Sequence, residues 1–271
     1  MTPDAPPAAG ADAPRAVGAI HLLRNGALAE LRLDNPARLN ALTVPMLDAL
    51  EAHCAALERD PDLRAVLVTA EGTRAFCAGA DIAAWSGLSP AEFARRWVRD
   101  GHRVFDRLAR LSLPTIAVIA GPAFGGGLEL AAACDIRVMA PGATLGLPET
   151  SIGIAPGWSG TQRLARLLPE GVLKEMALFG RRLTADRALA LGLVAEVADD
   201  PRTAAVAIAG RIATTSPRAT EVAKYMIHAA VDEDRAALTE ALGGGMIAAS
   251  ADKAEGVAAF RAKRPPEFTG L

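Results

Sequence analysis

Two carboxylates, Glu129 and Glu149, stand twenty positions apart, and each closes a segment that reads as a backbone cradle for a reacting carbonyl. Glu129 lies in Ala123-Phe124-Gly125-Gly126-Gly127-Leu128-Glu129-Leu130, where a glycine run follows an apolar strand and opens a helix. Glu149 ends Gly146-Leu147-Pro148-Glu149, ahead of the glycine-rich turn Pro156-Gly157-Trp158-Ser159-Gly160. Glycines at a helix start expose backbone N–H groups at the positive end of the helix dipole, with no side chain to block an anion or a developing oxyanion. A second small-residue turn, Ala75-Phe76-Cys77-Ala78-Gly79-Ala80-Asp81-Ile82, follows another strand and is a candidate source of a further N–H at the same point. Two donors on one oxygen, with two carboxylates nearby, suit acid/base chemistry on an acyl group.

Each piece alone has an ordinary reading, because glycines after strands make tight turns and most glutamates are solvated. Glu129 is set among Leu128, Leu130, Ala131, Ala132 and Ala133, so it is exposed only if that helix end faces a cleft. A dinucleotide fingerprint begins with the same glycines but fails at Leu130, where the close packing of helix on strand requires glycine. A G-x-S-x-G nucleophile elbow comes within one residue at Gly157-Trp158-Ser159-Gly160-Thr161, yet Thr161 holds the glycine position. Of the four histidines, His21, His53, His102 and His228, none has a supporting context, and His53 and His102 read as helix-surface or packing residues. No metal is expected, since paired His, calcium-type carboxylate runs and clustered Cys are all missing.

The elements that must position these groups alternate in type. Ala29, Leu31 and Leu33 interleave with Glu30, Arg32 and Asp34, the period-two pattern of a strand with one wet face, ended by a turn at Asn35-Pro36. Thr43 and Pro45 open a helix carrying Leu47, Leu50, Cys54 and Leu57. Ala65 to Thr69 and Thr115 to Ile119 are apolar runs suited to strands covered on both faces. Between them Pro90 to Leu111 reads as a helix with Phe93, Trp97, Val98, Phe105 and Leu108 inward. Further strands are predicted over Asp135 to Met139, Ala143 to Leu147 and around Leu193 to Val197. From about Pro201 the composition turns helical, with helix starts at Ser216-Pro217 and near Asp232. The expectation is an α/β core over residues 15–200, followed by a helical region over 201–271. Met1 to Pro14, rich in Pro, Ala and Asp, read as a disordered tail rather than a signal or transit peptide.

A chain of 271 residues buries roughly three quarters of its unfolded surface, enough for one large core. The 29 basic and 31 acidic residues leave a net charge of −2, which offers no field for nucleic acid or an anionic membrane. No apolar stretch reaches the length of a membrane span. Cys54, Cys77 and Cys134 lack paired spacing and read as buried thiols in a reducing compartment, so the expected location is the cytoplasm.

Taken together, Ala78-Gly79-Ala80-Asp81-Ile82, Gly125-Gly126-Gly127-x-Glu129-Leu130-Ala131 and Pro156-Gly157-x-x-Gly160-Thr161-Gln162-Arg163-Leu164 resemble the crotonase, or enoyl-CoA hydratase/isomerase, superfamily. The resemblance extends from Leu39-Asn40-Ala41-Leu42 to Phe260-Arg261-Ala262-Lys263-Arg264. It implies a spiral of repeated ββα units with a C-terminal helical region used in assembly, as a homotrimer or a hexamer built from two trimers. It also implies an acyl-CoA thioester substrate, coenzyme A being part of that substrate and no separate cofactor being needed. The thioester oxygen would rest on the N–H groups of Ala80 and Gly126, with Glu129 toward water and Glu149 toward C2. Ala78, Asp81, Ile82, Gly127, Pro148, Gly157 and Trp158 would border the substrate. Arg38 would meet a CoA phosphate or else serve as a solvated turn residue, and Phe260 and Lys263 would reach the CoA of a neighbouring subunit. Both glutamates being present favours a hydratase; an isomerase, which can work with one, is the alternative. Balanced charge argues against RNA binding, and the intact glutamate pair argues against a non-catalytic assembly subunit. Trp158 and Ser159 stand where many hydratases have small residues, so the indole is expected either to reshape the acyl pocket or to pack against the nearby helix.

Overall fold

The computed structural model describes residues 18–233 and 235–271, so the expected tail over 1–14 lies outside the described residues. β1 (Ala19–Asn25) and β2 (Leu28–Asp34) form an antiparallel hairpin that turns on Gly26, whose φ of +58° suits the first position of a two-residue loop. α1 (Val44–Leu57), β3 (Ala65–Ala70) and the single turn α2 (Ile82–Trp85) follow. Ser89 and Glu92 form a capping box on α3 (Pro90–Glu92), which continues through a π-helical stretch, Phe93–Val98, into α4 (Arg99–Ala109). Next come β4 (Thr115–Ile119), β5 (Ala123–Phe124), α5 (Gly126–Ala132), β6 (Ile136–Met139) and β7 (Thr144–Gly146). α6 (Gly160–Leu167), α7 (Glu170–Phe179), β8 (Leu183–Thr184), α8 (Ala185–Ala190) and β9 (Glu196–Val197) complete the mixed part of the chain. Beyond it lie α9 (Pro201–Gly210), α10 (Pro217–Ala230), α11 (Arg235–Ala248) and α12 (Ala251–Ala262).

The larger sheet has the order β1-β2-β3-β4-β6-β9 and is parallel from β2 onward; the smaller has the order β5-β7-β8. This is the α/β alternation that the recurring strand, glycine turn and helix imply, in the spiral that the family resemblance implies. The apolar runs behave as parallel strands covered on both faces. Val66, Val68, Ala117 and Ile119 enter the main core, while Leu67, Ile116 and Val118 face Ala205 and Ala209 of α9. α9 therefore belongs to the packing of the sheet, and the chain leaves the core later than its composition change near residue 200.

Two local expectations are corrected. β2 does not have one wet face: Glu30 is buried, accepting a hydrogen bond from Thr69 Oγ1 at 2.7 Å and one from Arg202 of α9 at 2.8 Å. The predicted helix over Pro90 to Leu111 is interrupted by the π-helical stretch. His53 and His102, read as helix-surface or packing residues, bond the Ile20 carbonyl at 2.8 Å and Ser159 at 2.6 Å.

The turn before α1 sets the height of the Ala75 to Ile82 segment. Leu39 and Asn40 both have positive φ, 53° and 55°, a conformation that asparagine tolerates better than most residues. Asn40 is almost wholly buried. Its Oδ1 accepts from the Asn35 N–H at 2.9 Å, and its Nδ2 donates to the carbonyls of Glu71 and Ala75 at 3.0 and 2.9 Å. The turn then grips the segment directly: Ala78 N–H donates to Leu39, Leu42 N–H to Gly79, and Asp81 N–H to Leu42. Replacing Asn40 by Ala leaves several buried groups unpaired, so Asn40→Ala is expected to lower the unfolding free energy by roughly 2–4 kcal/mol. Urea unfolding checks this, and a loss below about 0.5 kcal/mol would contradict it.

Candidate active site

A cavity of about 240 Å³ opens between the Ala78 to Ile82 segment, the start of α5, the loop before α6 and the π-helical stretch. Its floor depends on close backbone approach. A Cβ on Gly127 would lie 2.3 Å from the Cys77 carbonyl oxygen, and one on Gly79 would lie 3.0 Å from that of Phe124. With no side chains there, α5 begins directly against Ala80: a Cβ on Gly126 would sit 3.5 Å from the Ala80 nitrogen. Gly126 is the first residue of α5, so its N–H has no acceptor within the helix. The bonds that fix the Ala78 to Ile82 segment, from Leu42 N–H to the Gly79 carbonyl and from Asp81 N–H to the Leu42 carbonyl, fall on either side of Ala80. The backbones of Ala80 and Gly126 thus lie side by side along the cavity.

Both carboxylates border the same cavity and both are buried. Glu129 Oε1 accepts from the N–H groups of Trp158 and Gly160, each at 2.8 Å. Gly160 begins α6, and a Cβ there would lie 2.5 Å from Glu129 Cγ, so glycine is the residue that allows the carboxylate to reach the helix start. Burial raises the Glu129 carboxyl above the usual range, against the opposing effect of those two N–H donors and of the Arg163 charge. Glu149 sits on a 3-10 turn over Glu149–Ile152, beside Gly125, and its Oε2 is buried with no protein partner. Burial pushes its carboxyl up to about 7, with the neighbouring Glu129 charge adding to the rise. Buried polar atoms without partners are rare, and where they occur in a cleft they call for a chemical explanation.

Ala78, Ala80, Ile82, Gly126, Pro148, Gly157 and Trp158 line the cavity together with the two glutamates. Gly127 does not; its role is the contact with Cys77. Asp81 also lies off the cavity, capping α2 through the Ala83 N–H and pairing with Arg38, which is half-buried beside it. Phe260, at 85% exposure, and Lys263 lie at the end of α12, away from the residues that line the cavity. Sequence reasoning did not assign Trp85, Phe93, Trp97 and Val98 to the site, yet they form its apolar wall. The inward spacing of Phe93, Trp97 and Val98 marks them as core, and nothing in that spacing separates a core face from a cavity face. Ser159, at a φ of 73°, is latched to His102, and His102 lies 3.3 Å from Asp106.

A profile of the enoyl-CoA hydratase/isomerase family matches residues 24–271. The chain belongs to that family. It is 37% identical over 245 residues to the probable enoyl-CoA hydratase 2, mitochondrial, of Arabidopsis thaliana, covering 89% of this chain and 81% of the relative. It is 35% identical over 250 residues to the short-chain-enoyl-CoA hydratase of Clostridium acetobutylicum, covering 91% and 95%. Among solved structures, enoyl-CoA hydratase from Bacillus anthracis superposes with a TM-score of 0.76 at 33% identity, over 93% of this chain and 99% of the other. DspI of Pseudomonas aeruginosa superposes with a TM-score of 0.77 at 34% identity, over 92% and 96%.

In this member of the enoyl-CoA hydratase/isomerase family the buried carboxyls also leave a thermodynamic signature. Between the ordinary carboxyl value of 4.5 and about 7, folded Glu149 keeps a proton that the unfolded chain has released. Stability therefore falls as pH rises through that window and is free of this penalty below it. Glu149→Gln removes the penalty, so the variant is expected to exceed the parent chain by on the order of 1–3 kcal/mol at pH 8 and to lose that advantage near pH 4. Denaturant unfolding at the two pH values measures the difference; identical pH dependence in both proteins would contradict the buried-carboxyl account.

Proposed function

We propose that the chain adds water reversibly across the double bond of 2-enoyl-CoA thioesters to give 3-hydroxyacyl-CoA. The observation that carries this reading is the pairing, in one cavity, of a carboxylate held by two N–H donors with a carboxyl whose second oxygen has no protein partner. In the proposed reaction the thioester oxygen accepts from the Ala80 and Gly126 N–H groups. Glu129 takes a proton from water as its oxygen bonds to C3, the π electrons move toward the thioester oxygen, and Glu149 delivers its proton to C2. The products are the hydroxyacyl thioester, a protonated Glu129 and an ionised Glu149, and dehydration runs the same steps backward. Donors fixed by backbone geometry suit this task because they need no rearrangement as the charge develops.

Ala78 and the half-exposed Ile82 support passage of the pantetheine at the cavity mouth, and Arg38 beside Asp81 is the proposed contact for a CoA phosphate. Assembly into a trimer or a pair of trimers is also proposed. It is supported by the exposed apolar side chains of the C-terminal helices and tail, among them Met226, Ile227, Met246, Ile247, Phe260 and Phe268. Phe260 and Lys263 would then serve a neighbouring subunit. Sedimentation is expected to give three or six copies of the 28.0 kDa chain, and a monomer at micromolar concentration would count against assembly.

Glu129→Gln and Glu149→Gln keep the shape of the site, and a glutamine oxygen can still accept the two N–H bonds. Each is expected to lower hydration of crotonyl-CoA by about 10²- to 10⁴-fold while a saturated acyl-CoA still binds. Loss of the conjugated thioester absorbance measures the reaction, and undiminished turnover in either variant would sink the assignment. Both directions require one proton shared by the two carboxyls. Above about pH 7, where Glu149 loses its proton, kcat/KM for hydration and dehydration should fall about tenfold per pH unit.

A further inference from the structure

Building on the hydration reading above, we propose that the Trp158 indole is the end wall of the acyl pocket, seated in a notch made by Gly101, and that it restricts the enzyme to short 2-enoyl chains.

The ring lies against the backbone that holds the thioester. A Cβ on Gly126 would meet the Cζ3 and Cε3 atoms of the indole at 2.9 and 3.0 Å, so that edge of the ring takes the space a side chain there would fill. Trp158 is tied to the same site through its own backbone, because its N–H donates to Glu129 at 2.8 Å. The far edge is anchored too. Nε1 donates to the Trp97 carbonyl at 3.1 Å, and that carbonyl belongs to the π-helical stretch, a departure from regular helix that recurs at functional sites. The Trp97 ring lies 4.9 Å away and the Phe105 ring meets the indole edge-on at 5.2 Å. Trp158 is only 3% exposed, and Phe105 behind it is fully buried, so beyond the indole the pocket runs into closed core.

Gly101 explains how so large a group fits there. Glycine is disfavoured inside a helix, yet it stands near the start of α4. Any side chain at that position would collide with the indole: a Cβ would lie 2.1 Å from Nε1 and 2.3 Å from the adjoining ring carbon. Trp158 and Gly101 are therefore one device, a bulky residue and the notch that accommodates it. With the indole in place, the cavity of about 240 Å³ must take the acyl group and the thioester. Sites for drug-sized ligands span roughly 300–1,000 Å³, so what remains suits a few carbons rather than a long chain. Five contacts, with Gly126, the Trp97 carbonyl, the Trp97 and Phe105 rings and Gly101, hold the ring, which opposes its swinging aside for a longer substrate.

The test compares kcat/KM for 2-enoyl-CoA esters from crotonyl to decenoyl in the parent chain, Trp158→Ala and Trp158→Leu. Added methylenes in a closed pocket discriminate by about 10- to 200-fold. The parent chain is expected to favour crotonyl-CoA over decenoyl-CoA by at least about 100-fold, and the variants to reduce that ratio by tenfold or more. Trp158→Leu retains apolar filling, and serves if the Ala variant does not fold. Equal use of both esters by the parent chain overturns the proposal, as does an unchanged ratio in a folded variant. Calorimetric binding of butanoyl-CoA and decanoyl-CoA, which cannot be hydrated, separates this proposal from the reaction itself. If no enoyl ester is hydrated, the hydration reading fails. The pocket proposal then stands if the parent chain prefers butanoyl-CoA and Trp158→Leu erases that preference, and it falls if either result is absent.

Discussion

The site depends on the approach of one helix start to the Cys77 to Ala80 segment with no side chain between them. α5 can lie against Cys77 only because residue 127 is glycine, while Gly125 and Gly126 leave room for Glu149 and the Trp158 indole, and Gly79, at a φ of +107°, keeps the opposite surface bare. Hydrogen bonds then hold the distance: Phe124 N–H donates to Cys77 at 2.9 Å and Gly125 N–H to Gly146 at 3.0 Å. A methyl group at Gly127 would drive the helix off the strand and part the two donors, even though Gly127 itself does not line the cavity. Asn40 serves the same contact from the other side, by fixing the strand along which α5 is measured.

Burying two carboxyls next to those donors works against stability, and the two are handled differently. Glu129 receives two N–H bonds, one from the first residue of α6, where the helix dipole favours a negative charge. Glu149 has no such relief at Oε2. This asymmetry separates the two carboxyls, and in the proposed hydration it suits Glu129 to polarising water and Glu149 to giving a proton. Stability is supplied elsewhere, by parallel strands packed on both faces and by buried ion pairs that fasten later helices to the core. Lys224 of α10 is one fastening, donating to Asp135 at 2.8 Å and to the Leu113 carbonyl at 3.0 Å. Such a division, a strained site on a well-packed frame, is a common trade of stability against activity.

Features visible in the sequence are those whose cause is local. Apolar runs followed by glycine marked β3 and β4, and the glutamates stood out because each closes a glycine segment. Asn25-Gly26 was a legible hairpin signal as well, yet β1 went unassigned because its exposed residues show little alternation. Glu30 could not be read as buried, since its partners Thr69 and Arg202 come from distant positions. Gly127 illustrates the opposite error: it sits in the middle of the motif, but its contact is with Cys77, which only the fold brings near. The wall made by Trp97 and Val98 was hidden because core and cavity share the same periodicity.

The Ser159, His102 and Asp106 cluster shows why geometry must be weighed with its surroundings. A serine on a positive-φ turn, bonded to a histidine beside an aspartate, has the parts of a nucleophilic triad. Its hydroxyl is 7% exposed at the residue level and borders none of the cavity, and the adjacent Gly160 N–H already donates to Glu129. Asp106 is shared with Arg163 at 2.5 Å, and Arg163 is in turn bonded to Glu233, which also pairs with Arg166. The cluster is better understood as a clamp. His102 holds the turn that presents both N–H donors to Glu129, and α6, whose first N–H is one of them, is braced by two arginines against the segment following α10. Orientation of the Glu129 carboxylate is thereby coupled to the seating of the C-terminal helices through one short helix.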